Sequence, residues 1–159
     1  MKPPMTLAIR ELQNANVFFT SHLYEYQDKG GTAVSAKELG VDEHSVIKTL
    51  IMESDKKDTF VVLMHGDAQV STKELARILG VKTVSPCSPA VADKRSGYQV
   101  GGTSPFGTRR KMTVYMEASI LELPKIYING GKRGFLVGMD PQESARILNP
   151  ILVNVAIAG

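Results

Sequence analysis

The sequence predicts an α/β fold: a mixed, partly closed β-sheet with short helices packed outside it, built as one domain over residues 1–159. Three observations predict it. Short apolar runs with strand alternation outnumber what a doubly wound sheet needs. The connections between them are too short for regular βαβ crossovers. Between the runs stand short helices that carry capping residues at their starts and, in several cases, glycine at their ends. Neither an internal repeat nor a linker interrupts the 159 residues, a length that one hydrophobic core can serve.

Each element has its own local reason. Thr6 is placed to cap a helix carrying Leu7, Ile9 and Leu12. Phe18 to Tyr26 reads as a strand, with Phe19, Ser21, Leu23 and Glu25 on one face and Phe18, Thr20, His22, Tyr24 and Tyr26 on the other. Thr32 is expected to cap a helix through Ala33, Ala36 and Leu39 that Gly40 closes. Asp42 starts a single helical turn feeding the strand Val46 to Met52. Glu53 to Asp58 is a polar hairpin loop, and Thr59 to His65 is the returning strand. Ser71-Thr72-Lys73-Glu74 fits a capping box and opens a helix through Leu75, Ile78 and Leu79 to Gly80. Val81 to Val84 reads as a short strand. Ser88 and Pro89 start a helix to about Ser96, with cap and first-turn proline in favoured places. Strands follow near Tyr98–Val100, Met112–Met116, Lys125–Ile128 and Phe135–Val137. Asp140-Pro141 opens a last helix through Ala145 and Leu148.

Composition excludes several classes. Hydrophobic residues at 43% and charged residues at 22% fit a soluble globular chain. The formal charge of +3 permits a polyanionic partner without demanding one. Cys87 is the only cysteine, which rules out a disulfide framework and suits a reducing cytosol. Met1-Lys2-Pro3-Pro4, with Arg10 and Glu11 soon after, has the marks of neither a signal peptide nor a membrane span. The expected location is the cytoplasm. His22, His44 and His65 show no metal-ligand spacing and there is no HExxH or CxxC, so neither metal nor cofactor is expected. Cys87 lies in the turn-like Ser85-Pro86-Cys87-Ser88-Pro89 and reads as an inert thiol. No GxSxG, P-loop or GxGxxG supplies machinery for a protein nucleophile or a nucleotide cofactor.

Two glycine pairs, each followed by basic residues, carry the strongest functional signal. Gly101-Gly102-Thr103-Ser104-Pro105-Phe106-Gly107 leads to Arg109, Arg110 and Lys111. Gly130-Gly131-Lys132-Arg133-Gly134 follows the apolar stretch Ile126-Tyr127-Ile128. Glycine lets a ligand approach bare backbone N–H groups, and Arg and Lys supply charge for phosphate. Read alone, either loop is better explained as an ordinary hairpin with solvated charges, and it is their repetition downstream of a buried-looking lysine that puts the functional reading level with it. Upstream, Lys48 interrupts an apolar run in which strand alternation puts Val46, Lys48, Leu50 and Met52 on one face. Such a lysine either points into a cleft or snorkels to solvent, since burying an unpaired ammonium is costly. Thr49 adds a hydroxyl beside it.

Val46-Ile47-Lys48-Thr49-Leu50, Gly97-Tyr98-Gln99-Val100-Gly101-Gly102-Thr103-Ser104-Pro105-Phe106-Gly107 and Gly130-Gly131-Lys132-Arg133-Gly134 together resemble the YbaK family. These are free-standing relatives of the editing domain inserted in bacterial prolyl-tRNA synthetases. The similarity runs over nearly the whole chain, and the order and spacing of the three motifs make the set specific. The resemblance implies a mixed sheet with a partial barrel. It implies an aminoacyl-tRNA deacylase, removing cysteine from Cys-tRNA(Pro). Lys48 resembles the family's essential lysine, Thr49 its polar neighbour, and Tyr24 the aromatic hydroxyl at the pocket mouth. Gly101 to Pro105, through Gly102, Thr103 and Ser104, resembles the loop whose backbone meets the ester carbonyl. The substrate's own thiol is implied as nucleophile, leaving as a cyclic thiolactone, so that the protein contributes positioning and electrostatics.

Two positions depart from the family pattern. Asn129 stands where serine is common before the second glycine loop, and Leu136 where aspartate is common after it. The Lys48-Thr49 pair favours the YbaK branch over the alanine-editing branch, which tends to place Asn after the lysine. The expected substrate pocket comprises Tyr24, Thr103, Ser104, Pro105, Asn129, Gly130, Gly131 and Leu136. A rim of Arg109, Arg110, Lys132 and Arg133 is expected to hold the tRNA acceptor end. Mischarged tRNA and prolyl-tRNA synthetase are the expected partners, with neither membrane nor DNA among them. Deacylation of another small residue, alanine or serine, is an alternative reading, and a non-catalytic tRNA- or synthetase-binding module is a third.

Overall fold

The computed structural model describes residues 2–159. Thr6 caps α1 (Leu7–Asn14), its hydroxyl accepting from the Ile9 N–H at 3.1 Å, and the helix buries Ala8, Ile9 and Leu12. β1 is Thr20–Leu23, shorter than expected at both ends. Phe18 stands 83% exposed outside it. α2 (Gly31–Leu39) starts from Gly30, so Thr32 is not its cap. The Thr32 hydroxyl instead donates to Glu43 Oε2 at 2.7 Å and to Gly66 O at 3.2 Å, tying the helix to neighbouring turns. Gly40 closes α2 at φ 70°, as the sequence requires.

Asp42 caps a single 3-10 turn, Glu43–Ser45, which feeds β2 (Val46–Ser54). β3 (Thr59–His65) returns antiparallel along it, from Ile47 opposite His65 to Glu53 opposite Thr59. β4 (Ala68–Val70) has no local sequence signal. Ser71 then caps α3 (Thr72–Leu79), accepting from the Glu74 N–H at 3.2 Å, and Gly80 ends it. β5 (Val84–Pro86) lies later than the expected Val81 to Val84. α4 (Pro89–Ser96) has its expected cap and proline.

Tyr98–Val100 forms a turn, not a strand. Tyr98 folds inward, 8% exposed, and its hydroxyl donates to Phe106 O at 2.5 Å, so the chain curls around it. Burial and nearby Glu11 push this phenol up to about 12. The remaining elements are β6 (Val114–Glu117), a second 3-10 turn (Ala118–Glu122), β7 (Ile126–Lys132), β8 (Phe135–Met139), α5 (Pro141–Leu148), β9 (Ile151–Val153) and β10 (Ala156–Ala158).

The main sheet runs β1-β8-β7-β2-β3-β6-β9, with β5 also on β2, while β10 and β4 form a separate ribbon. β2 with β7, β3 with β6 and β6 with β9 are parallel and the other pairs antiparallel, which gives the expected mixed α/β class; the sheet, expected to be partly closed, is mostly open. Its faces bury separate clusters. Ile47, Ile51, Val61 and Leu63 pack with α1, Phe106 and Phe135, whereas Met52, Phe60, Val62 and Met64 pack with Leu75 and Ala76 of α3. A smaller third cluster joins Ala36 of α2 to Val46 and Leu136.

One irregularity positions everything that follows. On the side of β2 away from β3, β7 pairs only with Val46 and Ile47, and β5 only with Met52 to Ser54. Residues 48–51 have no strand on that side. The Cys87 N–H, donating to Ile51 O at 3.0 Å, closes one end of the gap.

Candidate functional site

A cavity of about 490 Å³ opens at this gap. Its wall includes Lys48 to Ile51 of β2, Tyr24 and Tyr26 beyond β1, Val34 and Ser35 of α2, and Ala92 of α4. Elements from both faces of the sheet therefore meet in it. Its volume is typical of a small-ligand site. Lys29, Lys48 and Arg133 line it against a single carboxylate, Asp28, which favours an anionic ligand.

Lys48 reaches the cavity from the face it shares with Val46 and Leu50. Its Nζ donates to the carbonyl of Ala68 at 2.5 Å, the first residue of β4 after the turn from β3. That turn is held from outside by His44, whose Nδ1 lies 2.9 Å from Asp67 Oδ1. His44 stacks on buried His65 with ring centroids 3.8 Å apart. Burial draws the Lys48 pKa below the ordinary 10.5, and the negative charges of Glu43 and Asp67 act against it. If the ammonium is the working form, kcat/KM should fall as pH rises, starting below the range of a free lysine. Asp67→Asn should move that alkaline limb to lower pH by removing one supporting charge. A pH–rate profile corrected for uncatalysed ester loss checks this, and an unmoved limb in the variant would count against it.

Thr49 lies between Ile47 and Ile51 along the opposite face. Its Oγ1 is buried with no hydrogen-bond partner among the described residues. A buried hydroxyl left unpaired costs about 1–3 kcal/mol, so a polar ligand group at this point would relieve the cost.

The two glycine segments come together, the second being the bulged end of β7, with a register shift between Asn129 and Lys132, and not a free loop. Asn129 joins them. Its Oδ1 accepts from Gly131 N–H at 2.6 Å and Lys132 N–H at 3.1 Å, while its Nδ2 donates to Gly101 O and Lys132 O, both at 3.3 Å. Arg133 adds a second tie: Nε donates to Val100 O at 2.8 Å, and the guanidinium lies 5.1 Å from the Tyr26 ring centroid. A Cβ at Gly102 would stand 2.6 Å from Arg133 N, and one at Gly101 2.5 Å from the Tyr26 hydroxyl. The loops are packed backbone to backbone.

The structure distributes the expected site residues unevenly. Lys48, Thr49, Tyr24, Gly101, Thr103, Asn129, Arg133 and Leu136 line the cavity. Gly102, Ser104, Pro105, Gly130, Gly131 and Lys132 do not line it and form the scaffold behind and beside the wall. The Gly102 N–H is spent on Gln99 O at 2.7 Å, and Ser104, fully buried, accepts from the Phe106 N–H. Arg109 and Arg110 hydrogen-bond through their backbone N–H groups to Ser96 O and Arg95 O, and neither lines the cavity. They gather with Lys94 and Arg95 at the end of α4. His22 also lies outside the cavity, bonded to Thr20 at 2.7 Å and packed on Tyr127. Sequence reasoning missed Tyr26 as a wall residue, although it stands two residues after Tyr24 on the same expected face. Cys87 lines the wall too, its thiol pushed up by burial and by Glu53.

An open mixed sheet with this strand order, split beside a lysine and faced by paired glycine loops, has the fold of the trans-editing proteins. It superposes with a TM-score of 0.81 on the structure of a "putative trans-editing enzyme for prolyl tRNA synthetase", 17% identical, covering 98% of this chain and all of that one. A hypothetical protein superposes at 0.87, 20% identical, over 96% and 100% of the two chains. The sequence profile of the aminoacyl-tRNA editing domain matches residues 29–147, and the chain belongs to that deacylase family. It is similar to the "Putative Cys-tRNA(Pro)/Cys-tRNA(Cys) deacylase EbsC" of Enterococcus faecalis, 25% identical over 91% of this chain and 88% of the relative. The proline–tRNA ligase of Brachyspira hyodysenteriae is 22% identical over 60% of this chain and 17% of the ligase.

Proposed function

We propose that this chain, acting as one editing domain, removes cysteine from mischarged Cys-tRNA(Pro) in trans. The observation that carries the reading is the Lys48–Thr49 step in the open edge of β2. Both residues line a cavity walled in part by a glycine loop, Lys48 carrying an ammonium and Thr49 a buried, unpaired hydroxyl. Lys48 supplies a compact charge for the terminal ribose or its phosphate. Gly101 and Thr103 are the loop residues that line the cavity, which supports placing the reacting ester beside them. The similarity to EbsC supports cysteine as the amino acid.

Chemistry in this cavity needs no protein nucleophile. The substrate thiolate attacks its own ester carbon. A C–S bond forms, the C–O bond to ribose breaks, and the ribose oxygen takes up a proton. The protein holds the geometry and stabilises the charge that develops on the carbonyl oxygen. Cys87 is not needed, because its raised pKa keeps it a protonated thiol near neutral pH.

A deacylation panel of cysteinyl-, seryl- and alanyl-tRNA, with and without prolyl-tRNA synthetase, tests the reading. Cys-tRNA should be cleared far faster than Ser-tRNA, since a neutral hydroxyl is a much weaker nucleophile than a thiolate. Equal rates would sink the substrate-assisted route and point to an activated water. Leu136, 4% exposed and packed with Ala36 and Val46, leaves this part of the wall apolar where the family commonly has a carboxylate. That suits a small neutral side chain.

A further inference from the structure

The open edge of β2 has more to offer than the Thr49 hydroxyl. In an antiparallel ladder a residue directs its N–H and C=O to the same side, and successive residues alternate. Two bonds fix the phase of that alternation here. Val46 O accepts from the Gly66 N–H at 2.7 Å, on the β3 side, and Ile51 O accepts from the Cys87 N–H at 3.0 Å, on the opposite side. Thr49, two residues before Ile51, therefore turns its N–H and C=O away from β3 and into the gap. β7 stops pairing at Ile47 and β5 begins at Met52, so no strand meets these two groups. Thr49, which lines the cavity, thus brings a backbone donor and a backbone acceptor to the gap, while its hydroxyl stays buried and unpaired beside them.

We propose that the aminoacyl end of the substrate docks on Thr49 as a one-residue antiparallel strand. Its α-amino group donates to Thr49 O, and its ester carbonyl accepts from the Thr49 N–H. An aminoacyl ester carries an N–H donor and a C=O acceptor on either side of one α-carbon, the same arrangement as a residue of a β-strand. Such a residue exchanges two N–H···O bonds with the residue opposite in a closely spaced pair. The second bond puts a fixed donor on the oxygen that gains charge as the ester is attacked. The first makes a free α-amino group part of what is recognised. This assignment rests on the deacylase reading and names a subsite within the same cavity.

The test uses substrates that lack only the amine. Cysteinyl-tRNA is compared with 3-mercaptopropionyl-tRNA, and alanyl-tRNA with propionyl-tRNA, each rate being divided by that ester's own uncatalysed loss. Loss of a hydrogen bond from a charged or polar donor should lower kcat/KM on the deamino ester by about ten- to a hundredfold. A corrected ratio within about twofold of one overturns the assignment. Thr49→Val keeps the N–H and C=O but removes the hydroxyl, so it should slow both members of a pair and leave their ratio intact. A ratio that collapses to one in that variant would show that the hydroxyl reads the amine, which also overturns it. Clearance by the wild type without discrimination sinks this subsite alone. No clearance of any mischarged tRNA sinks the deacylase reading as well.

Discussion

Replacing Lys48 with alanine is expected to lower kcat/KM for the mischarged tRNA by at least about 10²–10³-fold, the cost usually seen when one fixed electrostatic donor is removed from a reacting centre. The fold should survive, because the Lys48 side chain is only partly buried and leaves the apolar clusters on both sheet faces intact. Lys48→Arg should also be poor. The guanidinium is longer and planar, and the Nζ occupies a tight position 2.5 Å from Ala68 O. Thermal unfolding and single-turnover deacylation together check this. An alanine variant that keeps both its melting temperature and its activity would take Lys48 out of the chemistry and require another cation, such as Arg133, to carry the charge.

Gly102→Ala should rank second, for a different reason. The new methyl would sit 2.6 Å from Arg133 N and 2.8 Å from Lys132 C. Both are backbone atoms that cannot rotate aside, so the loops must separate. Overpacking of this kind costs about 1–3 kcal/mol, which in a chain of this size lowers Tm by about 2–4 °C per kcal/mol. Activity should suffer more than stability. A shift of about 1 Å in a wall that positions substrate costs on the order of 10²-fold in rate. Tm and kcat/KM measured on the same preparation check it, and an alanine variant unchanged in both would show that the loops are looser than their packing implies.

Much of the fold was legible because its signals are local. Ser71 and Gly80 bracket α3, Ser88-Pro89 opens α4, Asp140-Pro141 opens α5, and Thr59–His65 is a strand from first residue to last. The misses share a cause in distant partners. Thr32 looks like a cap, but Glu43 and Gly66 claim its hydroxyl. Tyr98–Val100 alternates like a strand, but Phe106 O and the core claim Tyr98. β4, β9 and β10 are three residues each, too short to leave a periodicity, and exist because strands remote in sequence lie beside them. Of the site, Lys48 and the glycine pairs stood out as interruptions of apolar pattern. The gap beside Thr49 did not, since it is defined by where two other strands stop. The part Asn129 plays in fastening one loop to the other was equally invisible, because a single residue type does not reveal four bonds.

The ribbon of β4 and β10 gives the site an unexpected reach along the chain. Ala68, whose carbonyl holds the Lys48 ammonium, lies opposite Ala158 in that ribbon, and Gln69 lies opposite Ile157. Residues 110 positions beyond Lys48 therefore brace the atom that aims it. Half-exposed Ile157 looks dispensable as a surface residue, yet it belongs to the same mechanical linkage as the lysine. On the proposed reading, variation in β10 is then variation beside Lys48 by another route, and strain placed on that strand would pull on the lysine's acceptor.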